Sequence, residues 1–235
     1  MAHSKCLWIA LTVSVIAMAG CGRPEGPSSF PLDATGATST LDARAASRYS
    51  VSASISGTHW DRIERLSATA REFPTEKARP NGRQRDPELI AGFGTATPSS
   101  RDVLLHFGKN WQKGSGPPVL LVHGVLVDAN TSWHAPHDKE GLAPYLSSKG
   151  KRVFALTFPH RHGDNLLWAE QISWALSRIR EVTGASEVDL VAHSKGTVAA
   201  RALVSGVRHP WMTPYAKDVR RLVLLGGPHL GLDFT

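Results

Sequence analysis

Cysteine is scarce in this chain, and its scarcity excludes domains stabilised by several disulfides or by zinc bound to cysteines. The 235 residues contain only Cys6 and Cys21, too few for a disulfide framework or for a cysteine-rich zinc site. Cys6 lies in a segment that we expect to be removed on maturation. The folded part must therefore be held together by its apolar core rather than by cross-links.

Long apolar runs are also missing. The N-terminal run, Leu7 to Ala19, has 13 residues, whereas a membrane-spanning helix needs about 20. Its length and the preceding Lys5 are typical of a signal peptide, assigned to residues 1–20. The following Met18–Cys21 stretch resembles a bacterial lipobox, in which the cysteine is lipidated. We therefore expect an exported envelope lipoprotein anchored to the membrane through Cys21, or, as the alternative, a secreted protein cleaved nearby.

Dense basic stripes are absent as well. The formal net charge is +7, but Lys and Arg are scattered and are not interleaved with aromatic residues. This pattern predicts no nucleic-acid partner. Two groups could imitate metal ligands: His134, His137 and Asp138, and His160, His162 and Asp164. Neither has a recognised metal motif around it, so we expect no metal and no cofactor.

Composition divides the chain near residue 100. Residues 21–100 are rich in Gly, Pro, Ser and Thr, which predicts a tether and an irregular N-terminal segment. Within it, His59 to Phe73 is expected to form a short amphipathic helix, because Trp60, Ile63 and Leu66 recur at helical spacing. Residues 101–235 are predicted to form the folded domain.

That domain alternates apolar strands with helices. Strands are predicted at 103–107, 119–122, 152–158, 188–192 and 221–226, and helices at 139–149, at 165–183 and after residue 194. Asp164 is the expected N-cap of the long helix, and Gly184 its end. Such alternation predicts an α/β fold with a mostly parallel sheet and helices on both faces. Ligands bind such sheets at the carboxyl ends of the strands.

The most informative stretch is Glu187 to Leu203. A buried strand ends in a turn containing Ser194, and a helix of small residues follows. Ala192 and Gly196, two positions before and after the serine, leave room for strand and helix to pass closely. This is the pattern of a nucleophile elbow, in which a strained serine is presented to substrate. An ordinary strand–helix turn is the alternative.

Three stretches in order carry a family resemblance: Pro117 to Val125, Val188 to Gly196 and Leu222 to Gly231. Together they resemble the α/β-hydrolase lipases and esterases, especially the bacterial class 2 lipases, from about Val103 to the end. The resemblance implies that Ser194 attacks an ester or lipid substrate. It also implies an oxyanion hole formed by the backbone N–H groups of Val125 and Lys195.

The histidines near these motifs are expected to have other roles. His123 is predicted to orient its loop by hydrogen bonding, and His193 to pack beside the elbow. The Lys195 side chain is expected either to favour anionic acyl groups or to face solvent. His229 matches a family histidine that is not the general base.

The chain departs from the family after Ser194. The family takes its acid and its general base from loops after later strands. Here only four candidates follow the serine, and none matches those positions: Asp218, Asp233, His209 and His229. We therefore expect a hydrolase domain that is incomplete at its C-terminus, with the acid and histidine beyond residue 235. Two functions stay open: an exported carboxylic-ester hydrolase with an acyl-enzyme mechanism, or a non-catalytic envelope lipoprotein whose remnant fold serves binding.

Overall fold

A seven-stranded sheet forms the centre of the protein. The computed structural model describes residues 48–77, 83–134 and 140–231. The strands are β1 (Tyr49–Ile55), β2 (Arg62–Ala68), β3 (Asp102–Phe107), β4 (Ser115–Val122), β5 (Lys151–Thr157), β6 (Val188–His193) and β7 (Val219–Leu225). They lie in the order β1-β2-β3-β5-β4-β6-β7.

Five helices accompany the sheet in the described ranges: α1 (Pro87–Phe93), α2 (Ala129–Trp133), α3 (Leu142–Ser148), α4 (Asn165–Thr183) and α5 (Lys195–Val204). A short 3₁₀ turn covers Trp111–Lys113. The predicted ends of α4 are confirmed. The Asp164 carboxylate accepts the N–H groups of Leu166 and Leu167, and Gly184 ends the helix with φ of 67°. None of the described helices is long and apolar enough to cross a bilayer.

The sheet is parallel where the site is expected. Strands β5, β4, β6 and β7 run parallel, whereas β1, β2 and β3 add an antiparallel extension. Val122 of β4 pairs with Ala192 of β6, which pairs with Leu224 of β7. The carboxyl ends of these three strands therefore meet at one edge. The predicted α/β-hydrolase-type fold, a mostly parallel sheet, is confirmed.

The apolar core has two layers, one on each face of the sheet. Leu120 and Val122 of β4 belong to one cluster and Val119 and Leu121 to the other. Side chains alternate along a strand, so the clusters lie on opposite faces. Helices α4 and α5 cover the first face, and α1, α2 and α3 contribute to the second. Helices on both faces were expected.

Two expectations for the N-terminal half are wrong. The stretch predicted as a helix, within His59–Phe73, contains strand β2. Ile63 and Leu66 belong to opposite cores, because residues three apart on a strand point to opposite faces. The sheet also begins at Tyr49 rather than after Arg101, and Tyr49–Ile55, Arg62–Ala68 and Pro87–Phe93 are regular elements rather than an irregular segment. Glu64 is charged, which predicts a surface position, but it is buried because Arg178 pairs with it at 2.8 Å.

Candidate active site

Ser194 occupies a strained turn between β6 and α5. Its φ is 50° and its ψ is −126°, a combination that residues other than glycine rarely adopt and that costs about 1–3 kcal/mol. Three hydrogen bonds hold it there. The Ser194 N–H donates to the Leu225 carbonyl at 2.8 Å, and the Ser194 carbonyl accepts the Thr197 N–H at 3.0 Å and the Thr197 hydroxyl at 2.6 Å. The turn is thus fixed by β7 on one side and by α5 on the other.

Small residues let three segments meet at this turn. A Cβ atom at Gly196 would lie 2.4 Å from the His123 carbonyl oxygen, and one at Gly124 would lie 2.8 Å from Ser194 Cβ. Ala192 is fully buried, so its methyl group is accommodated. The loop after β4 therefore lies directly against the serine, as the predicted arrangement of strand ends requires.

Two backbone N–H groups beside the serine donate to no other residue that the structure describes. Val125 lies in the loop after β4, and Lys195 is the first residue of α5. Within the described ranges, neither N–H donates to another residue, whereas the N–H of Leu126 is occupied by the Arg161 carbonyl at 2.9 Å. Both donors thus remain available to a ligand, and the N-terminus of α5 adds a partial positive charge.

The Lys195 side chain does not simply face solvent. Its ammonium donates to the Asn165 side-chain oxygen and lies 4.2 Å from the centroid of the Trp168 ring. Burial lowers its pKa from 10.5 to about 8, opposed by the charges of Asp164 and Glu76. Sequence reasoning missed Asn165 and Trp168. Their spacing on the first turn of α4, which places both on one face, was the available signal.

His123 holds the loop after β4. Its Nδ1 donates to the Gly124 carbonyl at 2.7 Å, and its Nε2 accepts the Phe158 N–H at 3.2 Å. Burial lowers the pKa of this fully buried ring to about 4, so it is neutral at pH 7. The predicted orienting role of His123 agrees with these bonds.

A general base for Ser194 is not apparent among the described residues. No histidine or carboxylate there hydrogen-bonds the Ser194 hydroxyl. His229 reaches the neighbourhood of the elbow, since its Nε2 and the Thr197 hydroxyl both lie against Gly227. His209 lies instead beside Trp211, and Asp218 pairs with Arg180.

The other sequence candidates are distributed as follows. His160 bonds Glu76 and the Pro98 carbonyl, and His134 packs against His59 and Trp60. In the part of the chain that is described, no three His, Cys, Asp or Glu side chains are grouped to hold a metal. Four of the named residues lie outside the described ranges: Cys21, His137, Asp138 and Asp233.

Strand order, sheet direction and a serine on the β6–α5 turn define a protein with an α/β-hydrolase-type fold. More particularly, the chain belongs to the family described as "Domain of unknown function (DUF7379)", which matches residues 90–235.

Solved structures resemble the chain over part of their length. The mature lipase BlEst2 of Bacillus licheniformis is 22% identical over 53% of this chain and 47% of its own, with a TM-score of 0.43. A Sulfolobus solfataricus protein, provisionally described as a lipase, is 17% identical over 76% of this chain and 49% of its own, with a TM-score of 0.44. An epoxide hydrolase of Vigna radiata is 19% identical over 57% and 37%, with a TM-score of 0.36. The chain spans about half the length of the first two, and less of the third.

Proposed function

We propose that this protein is an exported carboxylic-ester hydrolase of the lipase and esterase type, with Ser194 as its nucleophile. The observation that supports this most is the backbone of Ser194, with φ of 50° and ψ of −126°. A strained serine persists only where its surroundings hold it, and such strain is concentrated at functional sites. Gly124 and Gly196, which permit the close contacts here, support the same reading.

The proposed reaction passes through an acyl-enzyme. The Ser194 oxygen attacks the ester carbonyl carbon, and its proton passes to a general base. The carbonyl oxygen becomes an oxyanion that accepts the N–H groups of Val125 and Lys195. Collapse of this intermediate, with transfer of the proton from the base to the leaving oxygen, expels the alcohol and leaves an acyl-enzyme, which water hydrolyses to the acid and free serine. The base is the one participant that the described residues do not supply in contact with Ser194.

A fluorophosphonate probe and a series of p-nitrophenyl esters test the proposal on the full gene product. We expect the wild type to be labelled and Ser194→Ala to lose both labelling and turnover. The matched control is Ser205→Ala at the end of α5, which should keep both. Labelling of Ser194→Ala at the wild-type level would contradict the assignment. Labelling of Ser194 without ester turnover would instead favour the non-catalytic binding protein.

We also propose export with a lipid on Cys21, supported by Lys5, the apolar run and the Met18–Cys21 stretch. Labelling of cells with a palmitate analogue should mark the wild type and Cys6→Ser but not Cys21→Ser. Equal label in Cys21→Ser would exclude lipidation there. Export of an unlabelled wild type would favour plain secretion.

A further inference from the structure

A cavity of about 530 Å³ lies away from the serine. Its wall includes Asp218, whose carbonyl accepts the Val188 N–H at the start of β6. Ser194 follows the other end of that strand. Because β6 has six residues and a strand rises about 3.3 Å per residue, Val188 and Ser194 are roughly 20 Å apart. The cavity is therefore not part of the proposed ester site.

The lining of this cavity is strongly basic. Four cationic side chains line it: Arg48, Arg180, Arg208 and Lys217. The lining has one carboxylate, that of Asp218, which is 3.3 Å from Arg180. The buried Glu170 carboxylate behind the wall interacts with Arg48 and offsets part of this charge, but the remaining excess of positive charge in the lining favours an anion.

The wall that carries these cations is fixed to the core. The Glu170 carboxylate accepts the Thr213 N–H and hydroxyl, each at 2.6 Å, and the Trp174 indole N–H at 2.9 Å. Arg48 donates to the Trp211 carbonyl at 2.6 Å. The segment around residue 213 is thereby tied to α4 and to the chain entering β1. A preformed wall lowers the entropy cost of binding.

The other residues that line the cavity indicate the chemistry of the rest of the ligand. Ser173 and Tyr215 present hydroxyl groups, while Met212 and Pro214 present apolar surface. The volume lies in the range of small-molecule sites, about 300–1,000 Å³, and exceeds what a bare inorganic ion fills. Guanidinium and hydroxyl donors suit phosphate oxygens. We propose that this cavity binds an organic phosphate, with the phosphate group among Arg48, Arg208 and Lys217 and an apolar portion against Met212.

The phosphate could belong to a soluble ester or to a lipid headgroup, and two arms of one experiment separate them. The full chain with Cys21→Ser, which removes the proposed lipid anchor, is titrated calorimetrically with glycerol 3-phosphate, and is floated with vesicles of equal parts phosphatidylcholine and phosphatidic acid or of phosphatidylcholine alone. The test variant is Arg208→Gln with Lys217→Gln, both exposed. The matched control, Lys113→Gln with Lys151→Gln, removes the same charge from exposed positions outside the cavity.

We expect the test variant to bind at least about tenfold more weakly, since two charge-assisted contacts are lost, and the control to bind like the wild type. If the test variant binds glycerol 3-phosphate more weakly than the wild type, the ligand is a soluble phosphate. If its binding is weaker only to vesicles that contain phosphatidic acid, the ligand is a lipid headgroup. Ser194→Ala should bind normally in either arm, which keeps this test separate from that of the esterase. Equal binding by test and control variants, or no phosphate binding by the wild type in either arm, would overturn the proposal. Thermal melts of both variants establish that they are folded.

Discussion

Replacement of Gly196 by alanine tests the geometry of the elbow with one methyl group. The new Cβ atom would lie 2.4 Å from the His123 carbonyl oxygen and 2.9 Å from Val122 Cγ1, whereas ordinary contacts begin at 3.4 Å. The first of these partners is backbone at the end of a buried strand and cannot rotate away. Strand β4 and helix α5 must therefore separate by about 1 Å, which is a large displacement for a close-packed interior.

The expected loss of stability combines two opposing effects. Overpacking of a core costs about 1–3 kcal/mol, and a backbone partner places this case near the upper end. Alanine in place of glycine in α5 returns about 0.5–1 kcal/mol through helix propensity. We expect a net loss of about 2 kcal/mol, or roughly a thirtyfold change in the folding equilibrium. Fluorophosphonate labelling should fall further, by about 100-fold, because a shift of 1 Å misplaces the nucleophile.

Chemical denaturation of the full chain and the rate of probe labelling measure these two effects. Gly206→Ala is the control, since φ is +67° there but the site of the new methyl group is open. It should lose about 1 kcal/mol through left-handed strain and should keep wild-type labelling. If Gly196→Ala unfolds at the wild-type denaturant concentration and is labelled at the wild-type rate, the close approach of β4 and α5 is wrong.

Three further predictions concern residues around the elbow. Because burial lowers the pKa of Lys195 from 10.5 to about 8, the unfolded chain binds more protons between these values, and stability relative to Lys195→Met should rise from pH 8 to pH 10.5 in denaturation experiments. Because burial lowers the pKa of His123 from 6.5 to about 4, its stabilising effect should be present above pH 6.5 and be lost as pH falls toward 4, and a flat difference from His123→Asn across that window would contradict this. Asp164→Ala should lower the unfolding free energy by about 1 kcal/mol through loss of the α4 cap, whereas Asp164→Asn, which can still accept the Leu166 N–H, should lose less.

The parts of this fold that the sequence predicts are those with local signals. Helix α4 has an acidic cap, a closing glycine and an apolar face within 21 consecutive residues, from Asp164 to Gly184, and its ends are found where expected. Strand β4 ends in a short apolar run buried on both faces, and its lack of alternation marks it. Strand β6 is also a short apolar run, although only every second residue is fully buried. The elbow is equally local, because Ala192 and Gly196 both lie two residues from Ser194.

The antiparallel extension lacks such signals. Strand β1 has Tyr49 as its one buried residue, so its alternation produces little contrast between the two faces. In β2, Glu64 is buried because Arg178 of α4, 114 positions along the chain, neutralises it. The hydrophobic pattern of one segment carries no information about a partner so distant in the sequence. The same limitation applies to Lys195, whose burial depends on Asn165 and Trp168, residues of a different helix.

The nucleophile depends on a local turn, whereas a base depends on a distant segment of the chain. Probe labelling and ester turnover should therefore be interpreted separately. The conformation of Ser194 is fixed by its own turn and by three hydrogen bonds, one to Leu225 and two from Thr197. A base, by contrast, must be brought to the serine by a different segment, and its position is independent of whether the elbow forms. Substitutions at Gly196 therefore test the elbow, and labelling responds to them through the position of the serine oxygen. Turnover additionally requires a proton acceptor. A protein that keeps the elbow but lacks the base should show stability effects of Gly196→Ala in full, together with weak labelling and no sustained ester hydrolysis.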